Sequence, residues 1–169
     1  MVCGTAESFS HRKFDSLSVL LAEAAEPSAV RRTPGFADEA FLRGNVPMTK
    51  QEVRAAALAK LAIRPGDTVW DVGAGTGSVC VEMALAARWG RVYAVERQPE
   101  ACGLSRQNRE RFGAWNLTVV PGRAPEALAE LPAPDAVFVG GSGGELADIL
   151  TAAMERNPAA RICVSAVTL

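Results

Sequence analysis

Short uninterrupted apolar runs punctuate this chain from residue 68 onward, each followed by a turn and then by a stretch with helical spacing. The runs are Thr68-Val69-Trp70-Asp71-Val72, Arg91-Val92-Tyr93-Ala94-Val95, Leu117-Thr118-Val119-Val120, Asp135-Ala136-Val137-Phe138-Val139 and Arg161-Ile162-Cys163-Val164-Ser165. They lack the apolar–polar alternation of a strand with one wet face, so each predicts a strand covered on both sides. Helices are predicted between them, from about Ser78 to Ala87, Pro99 to Phe112, Ala124 to Glu130 and Glu145 to Arg156. Strands alternating with helices predict an α/β fold, a mostly parallel sheet with helices on both faces. Upstream, Thr49 followed by Glu52 has the spacing of a capping box and predicts a helix through Leu61, closed by the Pro65-Gly66-Asp67 turn. Residues Arg31 to Met48 contain Pro34, Gly35, Gly44 and Pro47 and read as an extended connector with a short helix from Asp38 to Leu42. Within residues 1–30, Leu17-Ser18-Val19-Leu20-Leu21 fits a short strand or one helical turn equally well.

Composition narrows the class. The 169 residues carry 18 Lys+Arg against 19 Asp+Glu, a near-neutral balance that argues against a generic nucleic-acid binder. Hydrophobic residues make up 49%, but 30 positions are alanine, so the bulky apolar content suits one domain-sized core. No apolar run approaches the roughly 20 residues of a bilayer span. Met1 to Thr5 lack the basic and apolar regions of a signal peptide, so a cytoplasmic location is expected. Cys3, Cys80, Cys102 and Cys163 are scattered, with no CxxC pair and no histidine cluster. Free thiols and no metal site are therefore expected.

Chemistry concentrates at Asp71-Val72-Gly73-Ala74-Gly75-Thr76-Gly77, between a strand and a helix. Glycines there allow a tight turn and close approach of backbone to a ligand. A lone GxG is as often a structural turn as a binding loop. Two details favour binding. The dinucleotide fingerprint GxGxxG would need glycine at 78, where this chain has Ser78, and the spacing is instead GxGxG behind an acid. Glu96 then ends the next strand, placed to accept hydrogen bonds from both hydroxyls of a ribose.

This acid-x-GxGxG loop resembles the first motif of class I S-adenosylmethionine-dependent methyltransferases. Arg43-Gly44-Asn45-Val46-Pro47-Met48-Thr49-Lys50, the Val69-to-Gly73 entry, Gly122-Arg123-Ala124-Pro125-Glu126-Ala127-Leu128 and Gly140-Gly141-Ser142-Gly143-Gly144 narrow the resemblance. Together they are similar to the C-terminal domains of precorrin-6Y C5,15-methyltransferases and to the free-standing precorrin-8w decarboxylases of cobalamin biosynthesis. The likeness runs from Gly35 to Leu169. Residues 1–34 form a lead-in that resembles the tail of a preceding C5-methyltransferase domain.

The resemblance implies a Rossmann-like sheet, with the two strands that normally complete it lacking from this sequence. It implies S-adenosylmethionine as cofactor, methylation at C15 of a precorrin, and decarboxylation of its C12 acetate arm. Thr49, Gly73, Ala74, Gly75, Thr76, Gly77, Glu96 and the backbone of Ala124 would then hold the cofactor. Arg123 departs from the acidic or small residue usual before that alanine. Arg43, Lys50, Gly140, Gly141, Ser142 and Gly143 would face the polycarboxylate substrate, with successive loop N–H groups forming a nest. A homo-oligomer, a tetramer for instance, and a fused C5-methyltransferase domain are the implied partners, with neither nucleic acid nor membrane. No catalytic acid or base is assigned.

Blander readings compete at several of these positions. Thr49 suffices as an N-cap without a ligand, Arg43 and Lys50 as solvated charges, and Gly140 to Gly144 as a flexible loop. Met48 and Trp70 read as core, and His11 as uninvolved. A methyltransferase acting on another small molecule or RNA, and a non-catalytic domain that binds the cofactor, are the rival functions. The lack of an Asn/Asp-Pro-Pro-aromatic motif after the fourth strand speaks against amino methylation of bases.

Overall fold

The computed structural model describes residues 4–15 and 34–166. The chain forms two compact units, Met1–Val30 and Arg31–Leu169. In the first, Thr5 caps a short helix α1 (Ala6–Phe9), its hydroxyl accepting from the Ser8 N–H at 3.2 Å. The rings of Phe9 and Phe14 meet edge to face. The Leu17–Leu21 segment lies outside the described residues.

The second unit is built on five strands, β1 (Thr68–Val72), β2 (Arg91–Glu96), β3 (Leu117–Pro121), β4 (Ala136–Val139) and β5 (Arg161–Val164). All pair in parallel, in the order β3-β2-β1-β4-β5. The connections are α3 (Ser78–Ala86), α4 (Pro99–Arg111) and α5 (Leu146–Arg156), with α2 (Gln51–Leu61) preceding β1. Residues 124–130, predicted as a short helix, form only a 3-10 turn at Glu126–Leu128, and the predicted helix at 38–42 is likewise a turn at Asp38–Ala40.

The two-residue repeat of the strands sorts their side chains into two cores. Val69, Val92, Ala94, Ala136 and Phe138 pack with α2 and α3 on one face. Trp70, Val72, Val95, Val137 and Val139 pack with α5 and Leu128 on the other. Trp70 is fully buried, and its indole N–H donates to the Pro132 carbonyl at 3.0 Å. β5 lies at one margin of the described sheet, half-buried along Arg161–Cys163 and exposed at Val164. Among the described residues no helix is long and apolar enough to cross a membrane.

One expectation fails at the start of α2. Thr49 is not its cap: Lys50 holds that position without a side-chain hydrogen bond, so no capping box forms. The Thr49 carbonyl instead accepts from Arg54. Arg54 is wholly buried on α2, where it also bonds Glu82 on α3 at 2.9 Å, Asp38 at 2.7 Å and the Phe36 carbonyl, and lies against the ring of Phe41. Glu82 receives the N–H groups of Gly35 and Phe36 as well. A buried ion pair is costly unless its remaining donors and acceptors are met, and here they are met by the connector itself. The pair thus fastens residues 35–49 to the sheet unit.

Candidate functional site

The carboxyl ends of the strands open into a cleft of about 560 Å³. Its floor is the glycine loop after β1, its walls the segments after β2, β3 and β4, and its roof Val46 to Lys50. This is the crevice at which open α/β sheets bind ligands, and its size suits a nucleoside-sized molecule.

The loop is held from every side. The N–H groups of Gly73 and Ala74 both donate to the Val95 carbonyl, at 2.9 and 3.2 Å, and that of Gly77 donates to Ala74. The Gly75 N–H donates to Glu96 Oε2 at 2.9 Å. From α4, Ser105 Oγ donates to the Gly75 carbonyl at 3.0 Å and Asn108 Nδ2 to the Thr76 carbonyl at 2.9 Å. A loop that cradles phosphate presents free N–H groups to its ligand. Four of the five N–H groups of residues 73–77 are engaged internally here. The loop itself therefore offers few free donors to a phosphate, and an adenosine ligand without phosphate is compatible with it.

Gly73 has a steric reason to be glycine. Its φ is +73°, and a Cβ there would stand 2.7 Å from the nitrogen of Gly141, 2.8 Å from its Cα and closer still to its carbonyl oxygen. The loops after β1 and β4 therefore touch backbone to backbone. The N–H groups of Gly140 and Gly141 both turn to the Val72 carbonyl, at 2.9 and 3.3 Å. This corrects the expected anion nest at these two positions: hydrogen bonds at the end of the β1–β4 ladder consume the donors that a nest would need.

Glu96 is buried at the end of β2. One oxygen takes the Gly75 N–H and the other the Gln98 N–H, at 2.9 and 2.8 Å. An ionised carboxylate has about four acceptor sites, so roughly two remain for hydroxyls. Ala124 lines the cleft with neither its N–H nor its carbonyl engaged among the described residues. Beside it, Arg123 pairs with Glu145.

Thr49, Lys50, Gly73, Ala74, Gly75, Glu96, Ala124 and Gly140 to Gly143 all line the cleft. Thr76 and Gly77 lie behind it: Thr76 is buried, and Gly77 is the N-cap of α3. Arg43 is exposed and stands away from the lining, while Lys50 pairs with Asp38 at 3.4 Å. Met48 packs against the core and also lines the cleft. Asp71, the acid of the motif, is buried beneath the loop, and neither of its oxygens meets a hydrogen-bond partner. Burial pushes its carboxyl up to about 7, and the nearby charge of Glu96 adds to this. The Cys80 thiol and backbone nearby pull it down, more than Glu96 raises it, though by geometry that thiol donates to the Gly77 carbonyl.

Sequence reasoning missed Arg97, which lines the cleft, and Arg54, Glu82, Ser105 and Asn108, which hold its parts in place. Glu82 was the available signal. It is a single acid inside an otherwise apolar helix, and a buried acid requires a partner.

A parallel sheet of this order, a glycine loop with few free donors and a strand-end acid with acceptor sites to spare define a Rossmann-like domain suited to a nucleoside ligand, and similarity to known proteins places it among the methyltransferases. A family model described as the precorrin methyltransferase domain matches residues 39–169. The chain is 53% identical over 140 residues to a probable cobalt-precorrin-6B C(15)-methyltransferase (decarboxylating) of Pyrobaculum calidifontis, covering 81% of this chain and 72% of that one. It is 40% identical over 155 residues to the precorrin-6Y C(5,15)-methyltransferase [decarboxylating] of a Sinorhizobium species, covering 90% of this chain and 37% of the relative. Among solved structures, precorrin-6y C5,15-methyltransferase from Geobacter metallireducens superimposes with a TM-score of 0.76 at 43% identity, over 80% of this chain and 72% of that one. The chain belongs to the precorrin methyltransferase family.

Proposed function

We propose that this chain is an enzyme of cobalamin biosynthesis that methylates C15 of a precorrin and removes CO2 from the acetate arm at C12. The observation that carries the reading is the cleft itself, in a chain of this family. Its loop offers few free donors to a phosphate, while Glu96 and the Ala124 backbone keep acceptors and donors for ribose and adenine. S-adenosylmethionine would supply an electrophilic methyl group there.

The residues around the cleft would bind and orient rather than exchange protons. Glu96 would accept from the ribose hydroxyls, the Ala124 backbone would meet the adenine edge, and Thr49 would close over the ligand from the roof. The backbone of Gly73 to Gly75 would pass along the amino-acid end. Gly140 to Gly143 and Lys50 would face the tetrapyrrole. An electron-rich meso carbon would attack the methyl carbon in line as the S–CH3 bond breaks and S-adenosylhomocysteine leaves, so the rate would come mainly from positioning. In the decarboxylation the C–CO2 bond would break, its electron pair would be taken up by the conjugated macrocycle, and a proton from solvent would then complete the methyl group left at C12.

The lead-in, residues 1–34, is read as the tail of a preceding C5-methyltransferase domain. The Sinorhizobium relative supports this, since it is matched over most of this chain but little more than a third of its own length. A homo-oligomer working in the cytoplasm completes the proposal. The test is incubation with cobalt-precorrin-6B and S-adenosylmethionine carrying a labelled methyl group, read by mass spectrometry. Labelled methyl incorporated together with loss of one CO2 is expected. An unchanged tetrapyrrole in the presence of bound cofactor would overturn the assignment.

A further inference from the structure

Three cations line the cleft, and two are already paired: Lys50 with Asp38, and Arg123 with Glu145. The third is Arg97, which follows β2 and has no carboxylate within ion-pair distance among the described residues. Its neighbour Glu96 forms no ion pair with it and bonds the N–H groups of Gly75 and Gln98. The Arg97 side chain extends toward the β4 loop, where Nη1 lies 3.8 Å from the point a Cβ on Gly143 would occupy. β1 lies between β2 and β4 in the sheet. The guanidinium therefore spans the ground above the β1 glycine loop, between the surface read as the donor site and the loop read as facing substrate.

An exposed guanidinium without a partner at the mouth of a cleft is suited to recognise a carboxylate in two-point fashion. We propose that Arg97 is a specificity-determining residue of this cleft that binds a ligand carboxylate. Both the amino-acid end of the methyl donor and the acid arms of the tetrapyrrole carry that group. The inference rests on the function proposed above.

The experiment compares Arg97→Gln and Arg97→Lys with the wild-type chain, using S-adenosylhomocysteine and methylthioadenosine, which share the adenosine thioether but differ in the amino-acid carboxylate. Loss of about ten- to hundred-fold in S-adenosylhomocysteine affinity in Arg97→Gln, with methylthioadenosine unchanged, would assign the donor's carboxylate. Unchanged affinity for both, with a KM for the tetrapyrrole raised by a similar factor and kcat little altered, would assign the substrate's. In either case Arg97→Lys should recover part of the loss. Equal weakening of both adenosine ligands, or no change in affinity or KM, would overturn the proposal. If the wild-type chain binds neither adenosine ligand, the donor-site reading fails and this proposal fails with it. Arg97 makes no ion pair among the described residues, so an unchanged melting temperature is expected and separates its role from a structural one.

Discussion

Replacing Gly73 with alanine tests the backbone contact between the β1 and β4 loops on which the cleft is built. The new Cβ would sit 2.7 Å from the Gly141 nitrogen and 2.8 Å from its Cα, where nonbonded atoms prefer about 3.5–4.0 Å. The obstruction is backbone, which cannot rotate aside, so the loops must separate by roughly 1 Å. A left-handed conformation at a non-glycine residue costs roughly 1–2 kcal/mol and the overpacking about 1–3 kcal/mol more, together about 2–5 kcal/mol. At about 2–4 °C per kcal/mol the melting temperature should fall by roughly 4–20 °C. A displacement of about 1 Å in a binding site is also enough to lower turnover by about a hundred-fold. Gly141→Ala is the control. Its Cβ would meet only Gly73 Cα, at an ordinary 3.9 Å, and it has no positive φ that alanine would resist. S-adenosylhomocysteine affinity by calorimetry and thermal melts on both variants give the answer. Gly73→Ala is expected to lose both affinity and stability, while Gly141→Ala keeps both. A Gly73→Ala protein that binds and melts like wild type, or a Gly141→Ala protein damaged as badly, would refute the reasoning.

The other side chains of the site make separate predictions. Glu96→Gln keeps the shape but removes the charge and one acceptor oxygen, so cofactor affinity should fall by about 1.5–3 kcal/mol; unchanged affinity by calorimetry would remove Glu96 from the ribose site. Arg54→Met leaves the buried Glu82 without its cationic partner, while Asp38 keeps Lys50, and should cost about 3–5 kcal/mol in urea unfolding; the double variant Arg54→Met/Glu82→Leu should recover part of this, and no recovery would mean the loss comes from elsewhere. Asp71 has a folded-state pKa raised to about 7 from 3.8. The folded protein therefore binds more protons than the unfolded chain between these values, and stability contributed by this group declines as pH rises from about 4 to 7. Asp71→Asn should accordingly melt higher than wild type at pH 8, with the advantage shrinking toward pH 5; a pH-independent difference would contradict the burial argument.

Much of the fold was legible because its signals are local. A parallel strand covered on both faces must be apolar at nearly every position, so Thr68–Val72 and Ala136–Val139 announce themselves without knowledge of their partners. The GxGxG loop and Glu96 were legible for a related reason: each lies at the end of a strand whose position was already clear. Residues 124–130 deceived the reading because helix-forming composition says little about length in a segment so short, which here closes only one 3-10 turn.

What the sequence by itself determined was the order of elements, the place of the glycine loop and the family resemblance. Only the tertiary structure decided which polar groups were already occupied. The Gly140 and Gly141 N–H groups look available in a glycine-rich stretch, yet the Val72 carbonyl at the neighbouring strand end claims both. Thr49 looks like a helix cap, yet Arg54 takes its carbonyl and the helix begins a residue later. Arg43 and Arg97 are equivalent as letters, but the crossing from β2 to α4 brings only Arg97 to the cleft. Hydrogen-bond capacity is finite and is shared among groups far apart in the chain, so its allocation is settled where the chain meets itself.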